Sequence, residues 1–374
     1  MIKRILYTLL IMFPVVASAQ INTDRVMAIG RNALYFEDYV LSIQYFNQVI
    51  NAKPYLSDPY FYRGLAKINL DDFQGAESDC SEAIERNPFV VSAYQVRGLA
   101  RIQQNNFAGA IEDYTKALEF DPENIGVWHN MALCRIRQED YKGAKNDLDK
   151  LIAISPRYTK AYLMRGEVDL KQKDTLAAEK DFGKAIEIDR YDADTWASRA
   201  ILRLQQQRYK DAEADFDHAI RLSTRNSGVY INRALARYHQ NNLRGAMSDY
   251  DIALDIDPNN FIGHYNRGLL RAQVGDDNRA IQDFNFVIEM EPDNMMAIFN
   301  RGLLLDQTGD YKGAIKDYST VINEYPNFLL GYQYRAQARR KIGDVKGADA
   351  DEFKVLKAQL DKQNGVDPNK QTAD

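Results

Sequence analysis

Cysteine is almost missing from this chain: 374 residues hold two, Cys80 and Cys134. That is too few for a disulfide framework. They fall in non-adjacent copies of the repeat described below, so they are expected to stay apart as small core residues. Histidine is scarce too. His129, His218, His239 and His264 share no metal-ligand spacing, and no zinc site is expected; His264, in a slot otherwise mostly aromatic or apolar, is expected as a core residue. There is no nucleophile elbow, no phosphate loop and no His-Glu-x-x-His. Nor is there a basic excess: 48 Lys and Arg stand against 53 Asp and Glu, with the signs interspersed. Nucleic acid needs a basic face, so it is not an expected partner. These absences argue against an enzyme and against any metal or cofactor.

One long apolar run exists, at the N-terminus. Lys3 and Arg4 precede Ile5 to Val16, and Ala17-Ser18-Ala19 follows. This order predicts a secretory signal over 1–19, cleaved before Gln20. The run is shorter than the roughly 20 apolar residues of a membrane span and contains Pro14. No transmembrane segment is therefore expected in the mature chain.

Everything after it repeats. The stretch Val91 to Asn124 holds two amphipathic segments around a polar turn, and its residue classes return every 34 residues. Prolines close the copies at Pro54, Pro88, Pro122, Pro156, Pro258, Pro292 and Pro326. A small residue recurs from Ser42 through Ala76, Ala110 and Ala144 to Ala348, and Ile or Leu from Ile50 to Leu356. Asp or Asn precedes nearly every second segment (Asp38, Asp72, Asn106, Asp140, Asp174, Asn242, Asp276, Asp310, Asp344), where it can cap a helix; Arg208 breaks the series. Ten copies are read at 23–56, 57–90, 91–124, 125–158, 159–192, 193–226, 227–260, 261–294, 295–328 and 329–362, within a domain of 20–362. A polar tail, 363–374, follows. The last second helix is expected to run to Asn364-Gly365 and to serve as the cap of the array.

The pattern resembles the tetratricopeptide repeat family over essentially the whole mature chain. The resemblance implies an all-α fold: an α-solenoid, a right-handed superhelix of about ten helix-turn-helix hairpins with first helices on its concave side. The physical reason for stacking is independent of the family, because one hairpin cannot bury its apolar face alone. Some members hold acidic chaperone tails in a basic clamp; Leu65, Leu99 and Leu133 stand where that clamp needs polar groups, so this use is not expected.

Two departures from the family pattern recur together. Arg stands where Leu is usual, at Arg63, Arg97, Arg165, Arg199, Arg233, Arg267, Arg301 and Arg335. Asp stands where an aromatic is common, at Asp79, Asp113, Asp147, Asp181, Asp215, Asp249, Asp283, Asp317 and Asp351. Folding the hairpin puts the two rows in one layer, so a structural ladder (Arg97 with Asp113, Arg199 with Asp215, Arg267 with Asp283, Arg301 with Asp317) is expected ahead of an anion site. The first copy has Ile29 and Tyr45 instead. The fourth has Met131, with Arg135 one turn on as the substitute.

The inner wall is expected at first-helix slots three and four residues apart. These hold Phe61, Leu65, Ile68, Leu99, Ile102, His129, Leu133, Ile136, Leu163, Leu170, Ile201 and Leu204, then Ile231, Leu235, Tyr238, Tyr265, Leu269, Phe299 and Leu303. Such a stripe suits an apolar partner segment, or else packs first helix on first helix. The expected function is an exported, non-catalytic scaffold in the bacterial periplasm or envelope, or secreted, binding other proteins in its groove. The absence of any Asn-x-Ser/Thr acceptor fits a bacterial source. The alternative is a capture module for a peptide or glycan.

Overall fold

The computed structural model describes residues 22–363, the side chain of Lys362 excepted. The signal segment and the residues from Asn364 on lie outside it. Twenty helices are described. The first ten are α1 (Thr23–Tyr35), α2 (Tyr39–Ala52), α3 (Asp58–Ile68), α4 (Phe73–Arg86), α5 (Val91–Gln103), α6 (Phe107–Phe120), α7 (Ile125–Arg137), α8 (Tyr141–Ile154), α9 (Thr159–Lys171) and α10 (Thr175–Ile188). The second ten are α11 (Ala193–Gln205), α12 (Tyr209–Leu222), α13 (Ser227–His239), α14 (Leu243–Ile256), α15 (Phe261–Gln273), α16 (Asp277–Met290), α17 (Met295–Thr308), α18 (Tyr311–Glu324), α19 (Leu329–Lys341) and α20 (Val345–Gln363). There is no strand among the described residues.

The chain forms two compact units, one ending at Asp181 and the other starting at Phe182, inside α10. Within each unit, odd and even helices pair into hairpins, and every hairpin packs on the next. Odd helices also touch the next odd helix, as in α1–α3, α3–α5, α11–α13, α15–α17 and α17–α19. This is an all-α solenoid of helical hairpins.

Local sequence explains each hairpin. Asp38, Asp72, Asn106, Asp140, Asp174, Asn242, Asp310 and Asp344 each accept a hydrogen bond from the backbone N–H three residues on. Asp276, expected to do the same, makes no cap bond, and its carboxylate pairs with Arg279 instead (3.3 Å). The turn before each cap needs one residue at positive φ. Gly275, Gly309 and Gly343 supply it in the last three hairpins. In the others it falls on Glu37, Asp71, Asn105, Glu139, Lys173, Gln207 and Asn241, at φ near 60°. A side chain there is strained, since the Cβ crowds the following carbonyl.

Between the helices of a hairpin lies a small-and-large core. Ala110 and Ala117 are fully buried around Tyr114, and Phe46, Phe216, Phe284 and Tyr318 fill the equivalent place elsewhere. The helices approach so closely at Gly98 that a Cβ would lie 2.7 Å from the Tyr114 ring. Cys80 and Cys134 are buried and unpaired, and burial pushes their thiols up to about 12 and about 11.

The carboxylate row is also buried, each member 5 % exposed or less. Asp113 accepts from Arg97 Nε (3.1 Å) and Nη2 (2.6 Å), and from Arg101 Nη1 (3.1 Å). The same fork joins Arg199 to Asp215, Arg267 to Asp283 and Arg301 to Asp317, at 2.7–3.1 Å. A second cation one turn on completes the shell at Lys67, Arg203, Arg237, Arg271 and Arg339. The remaining Nη1 of the first Arg reaches back to the preceding hairpin: Arg63 to Asn47, Arg97 to Ser81, Arg233 to Asp217, Arg335 to Ser319. Each of these guanidinium groups therefore ties its own two helices together and both to their neighbour, whereas Arg199 meets Gly183 in the acceptor slot.

Other ties mark single junctions. Arg101 and Arg237 reach Glu77 and Glu213 in the preceding second helix (2.8 and 2.7 Å). At the α8–α9 junction the signs are exchanged, and Lys145 meets buried Asp169. Tyr60, Trp128, Tyr162 and Trp196 donate to the carbonyls of Pro54, Pro122, Pro156 and Arg190 before their helices. His264, expected as a plain core residue, is a polar strut. Its ring nitrogens lie 3.0 Å from the Pro258 carbonyl and 3.0 Å from Asp283 Oδ1.

Both terminal hairpins expose large apolar side chains: Phe353 is 67 %, Leu356 53 % and Leu360 47 % exposed on α20, and Phe36 is 76 % exposed on the first hairpin.

The fourth hairpin tests the ladder. With Met131 in the Arg slot, Asp147 has Arg135 alone, whose Nε is 2.9 Å from Oδ2 but out of line, leaving both atoms without a hydrogen bond. Burial, aided by Asp140, pushes the Asp147 carboxyl up to about 6 against the pull of Arg135. A raised acid in the folded state holds its proton where the unfolded chain has lost it. Its contribution to stability thus falls as pH rises from about 4 to about 6 and stays low above that. Met131→Arg, with Thr115 across the junction as Ser81 is for Arg97, should raise the stability of α7–α8 above pH 6 by on the order of 2 kcal/mol. The gain should shrink below pH 5; hydrogen exchange across the two helices at both pH values checks this. Gln207→Gly should add roughly 0.5–1 kcal/mol in urea unfolding by relieving the positive φ.

Candidate partner-binding face

The slots expected to line the wall lie on odd helices and differ in depth. In the first unit Phe61, Leu65, Ile68, Ile102, Leu133 and Ile136 are half-buried, and Leu99 is exposed. Phe61, Ile102 and Ile136 lean on the cores of their hairpins. A pocket of about 570 Å³ opens here, lined by His129, Leu133, Ile136, Tyr141, Met164 and Glu167 among others. Burial, and then nearby Lys160, hold the His129 imidazole below its usual pKa, and its Nδ1 faces Tyr158 Oη at 3.4 Å.

In the second unit Leu235, Tyr238, Tyr265 and Leu303 are half-buried, and Leu269 is 40 % exposed. Ile231 and Phe299 are buried, 7 % exposed, within the hairpin cores. Phe299 still floors a second pocket of about 320 Å³, walled by Met295, Met296, Val321, Tyr325 and Phe328. Beside it runs a row of exposed apolar residues spaced by 34, Ile262 (51 %), Met296 (61 %) and Leu330 (44 %). In the first unit the same slots hold Asp24, Asp58, Ser92, Gly126 and Lys160.

Next to the apolar slots stands a row of amides: Asn232, Asn266 and Asn300, half-buried and one repeat apart. Of the three, Asn300 alone spends its amide on a described neighbour, donating to Tyr265 Oη (3.2 Å). Sequence reading passed over this row, although its 34-residue spacing was visible. The arginine ladder lies apart from this face, its charges satisfied inside the hairpins by the bonds given above.

Models described as tetratricopeptide repeat match residues 125–158, 159–192, 198–261 and 265–327, and one described as TPR repeat matches 98–134. The chain belongs to the tetratricopeptide repeat family. Among solved structures it is similar to a tetratricopeptide repeat protein of Parabacteroides merdae at 21 % identity, covering 67 % of this chain and 98 % of that one (TM-score 0.52). It is similar to the C-terminal part of a TPR repeat-containing protein of Cytophaga hutchinsonii at 17 % identity, covering 63 % and 97 % (TM-score 0.52). PilF of Pseudomonas aeruginosa matches at 18 % identity over 58 % and 98 % (TM-score 0.52). At these identities the likeness is one of fold. No curated protein matches the chain.

Tetratricopeptide repeats generally form non-catalytic scaffolds that bind other proteins, and the repeats of this chain support a protein-interaction scaffold. Among the described residues no group of His, Cys, Asp or Glu is arranged to hold a metal ion, and no helix is long and apolar enough to cross a membrane.

The two depths predict opposite responses. Leu269→Glu, on an exposed slot, should change unfolding free energy by less than about 1 kcal/mol. Phe299→Ala should cost roughly 3–5 kcal/mol, because it empties a packed site. Urea unfolding separates them.

Proposed function

We propose that this tetratricopeptide repeat protein is exported into a bacterial cell envelope, where it holds an extended segment of a partner protein against the odd helices of its second unit. The observation that carries the reading is the amide row Asn232, Asn266 and Asn300 running beside Leu235, Tyr265, Leu269 and Leu303. A side-chain amide both donates and accepts, which is what an extended peptide backbone requires at each of its own N–H and C=O groups. Apolar slots alongside then take the partner's side chains, the usual division between backbone affinity and side-chain specificity. Export rests on the basic, apolar, small-x-small order of residues 1–19.

Capture of a small peptide or glycan is the second reading. It is favoured by the pocket beside His129, whose lining mixes apolar side chains with Arg137, Glu139 and Lys171.

Retention from envelope fractions, followed by mass spectrometry and mapping of the retained protein to a peptide, supplies the ligand. Asn232→Ala with Asn266→Ala should weaken that peptide roughly 10- to 100-fold, at about 1 kcal/mol or somewhat more per lost amide contact, with the melting temperature kept. Unchanged affinity would remove the second unit's wall from consideration, and loss confined to His129 variants would favour capture.

A further inference from the structure

The two ends of the array carry matched departures from a tie that seven of the nine interior junctions make, Met131 and Gly183 standing in its slots at the other two. At interior junctions the ladder Arg of one hairpin donates through Nη1 to a polar side chain of the hairpin before it, as Arg301 does to Asn285 (2.8 Å) and Arg335 to Ser319 (2.9 Å). The first hairpin has Ile29 in the Arg slot, and the last has Phe353 in the acceptor slot. Interior junctions also use an aromatic donor on the carbonyl before its helix, as Trp128 does on Pro122. There the ends hold Val26 and, within α20, Leu360. The slot of Gln104, which bonds the Phe73 carbonyl and Glu77, is apolar at Phe36 as it is inside the array at Leu70, Val274 and Ile342, and it would meet Val345 and Asp349.

The ladder tie is thus replaced by an apolar residue on both sides at once, Ile29 and Phe353, and the aromatic donor by Val26. Among the described residues, apolar side chains at the two ends are open to solvent: Phe36 76 %, Phe353 67 %, Val345 52 %, Leu360 47 % and Ile29 36 %. A further hairpin of the interior type would bring an Arg onto Phe353 and leave its Nη1 without an acceptor. The one hairpin of this chain that brings Ile to that slot is its own first.

We propose that the outer face of α20 receives the α1 face of a second copy of this chain, so that copies join head to tail. The contact continues the stacking already used between hairpins, with apolar pairs Ile29–Phe353 and Val26–Leu360 in place of polar ties, and Phe36–Val345 in the slots that hold Val274 and Leu243 inside the array. Arg25 stands where interior hairpins hold a smaller residue such as Ala93 or Gly331. Its aliphatic stem lies across Leu356 and its charge stays in water, as long cationic side chains do on apolar surfaces. Because the two faces differ, the contact is heterologous and open-ended.

Sedimentation equilibrium of the purified chain over rising concentration tests this. The expected result is a weight-average mass passing the dimer. Phe353→Glu and Ile29→Glu should each weaken association at least roughly tenfold. An equimolar mixture of the two variants should recover a dimer and stop there, because each keeps the end the other lacks. Leu360→Lys and Phe36→Glu repeat the experiment at more exposed places, with circular dichroism confirming the fold. A monomer at every concentration overturns the proposal. So does loss of association with Phe353→Glu but not with Ile29→Glu, which would mean like ends meet. Association that appears only after removal of residues 364–374 would make the tail the occupant and overturn it equally.

Discussion

A carboxylate buried between two helices is stable only where cations reach it, and that requirement organises the whole array. Losing one member of a buried pair costs roughly 3–5 kcal/mol, so the first helix must arrive in the register that sets its Arg opposite Asp. In most hairpins a second cation one turn on shares the charge, and the spare arm of the first Arg crosses to the neighbour. A single side chain therefore settles helix pairing, register and stacking together. Asp147 shows the constraint from its weak side: with one misaligned cation, its carboxyl is pushed up to about 6.

Recurrence made much of this legible before any coordinates. A slot that returns every 34 residues has one environment, so Arg97 and Asp113 could be placed in a common layer from spacing alone. The second cation row was equally periodic, yet only Arg135 was picked out, because it alone stood next to a gap. What stayed hidden depends on neighbours distant in sequence. Ile231 and Phe299 share the helical face of Leu269 but sink into the core, since depth is set by side chains on the adjoining even helix and the next hairpin. His264 looked like filling and proved to bridge a carbonyl and a carboxylate. The strained turn was masked because Glu, Asp, Asn, Lys and Gln occupy seven of its ten positive-φ sites, and the glycine that would betray it appears in three hairpins.

The candidate face was legible in outline and not in composition. An apolar stripe was expected along the full length; the second unit has the amides Asn232, Asn266 and Asn300 and the exposed apolar row Ile262, Met296 and Leu330, and the slots of that apolar row hold Asp24, Asp58, Ser92, Gly126 and Lys160 in the first unit. Hairpins of one repeat length thus carry different side-chain chemistry in the same slots. In a solenoid this costs little, because inner-wall side chains are free to vary once the core and ladder of each hairpin are satisfied.

The exchanged pair Lys145–Asp169 has a consequence for how such an array can change over generations. Equal repeat length would seem to let any hairpin be excised or duplicated without disturbing the rest. Removing 227–260 would set Glu213 against Arg271, an attractive substitute for what was lost. Removing 159–192 would set Lys145 in the slot facing Arg203, cation against cation. The order of the hairpins is thereby written into their junctions, and unequal recombination, the ordinary route by which tandem repeats grow and shrink, is permitted at some boundaries and penalised at others.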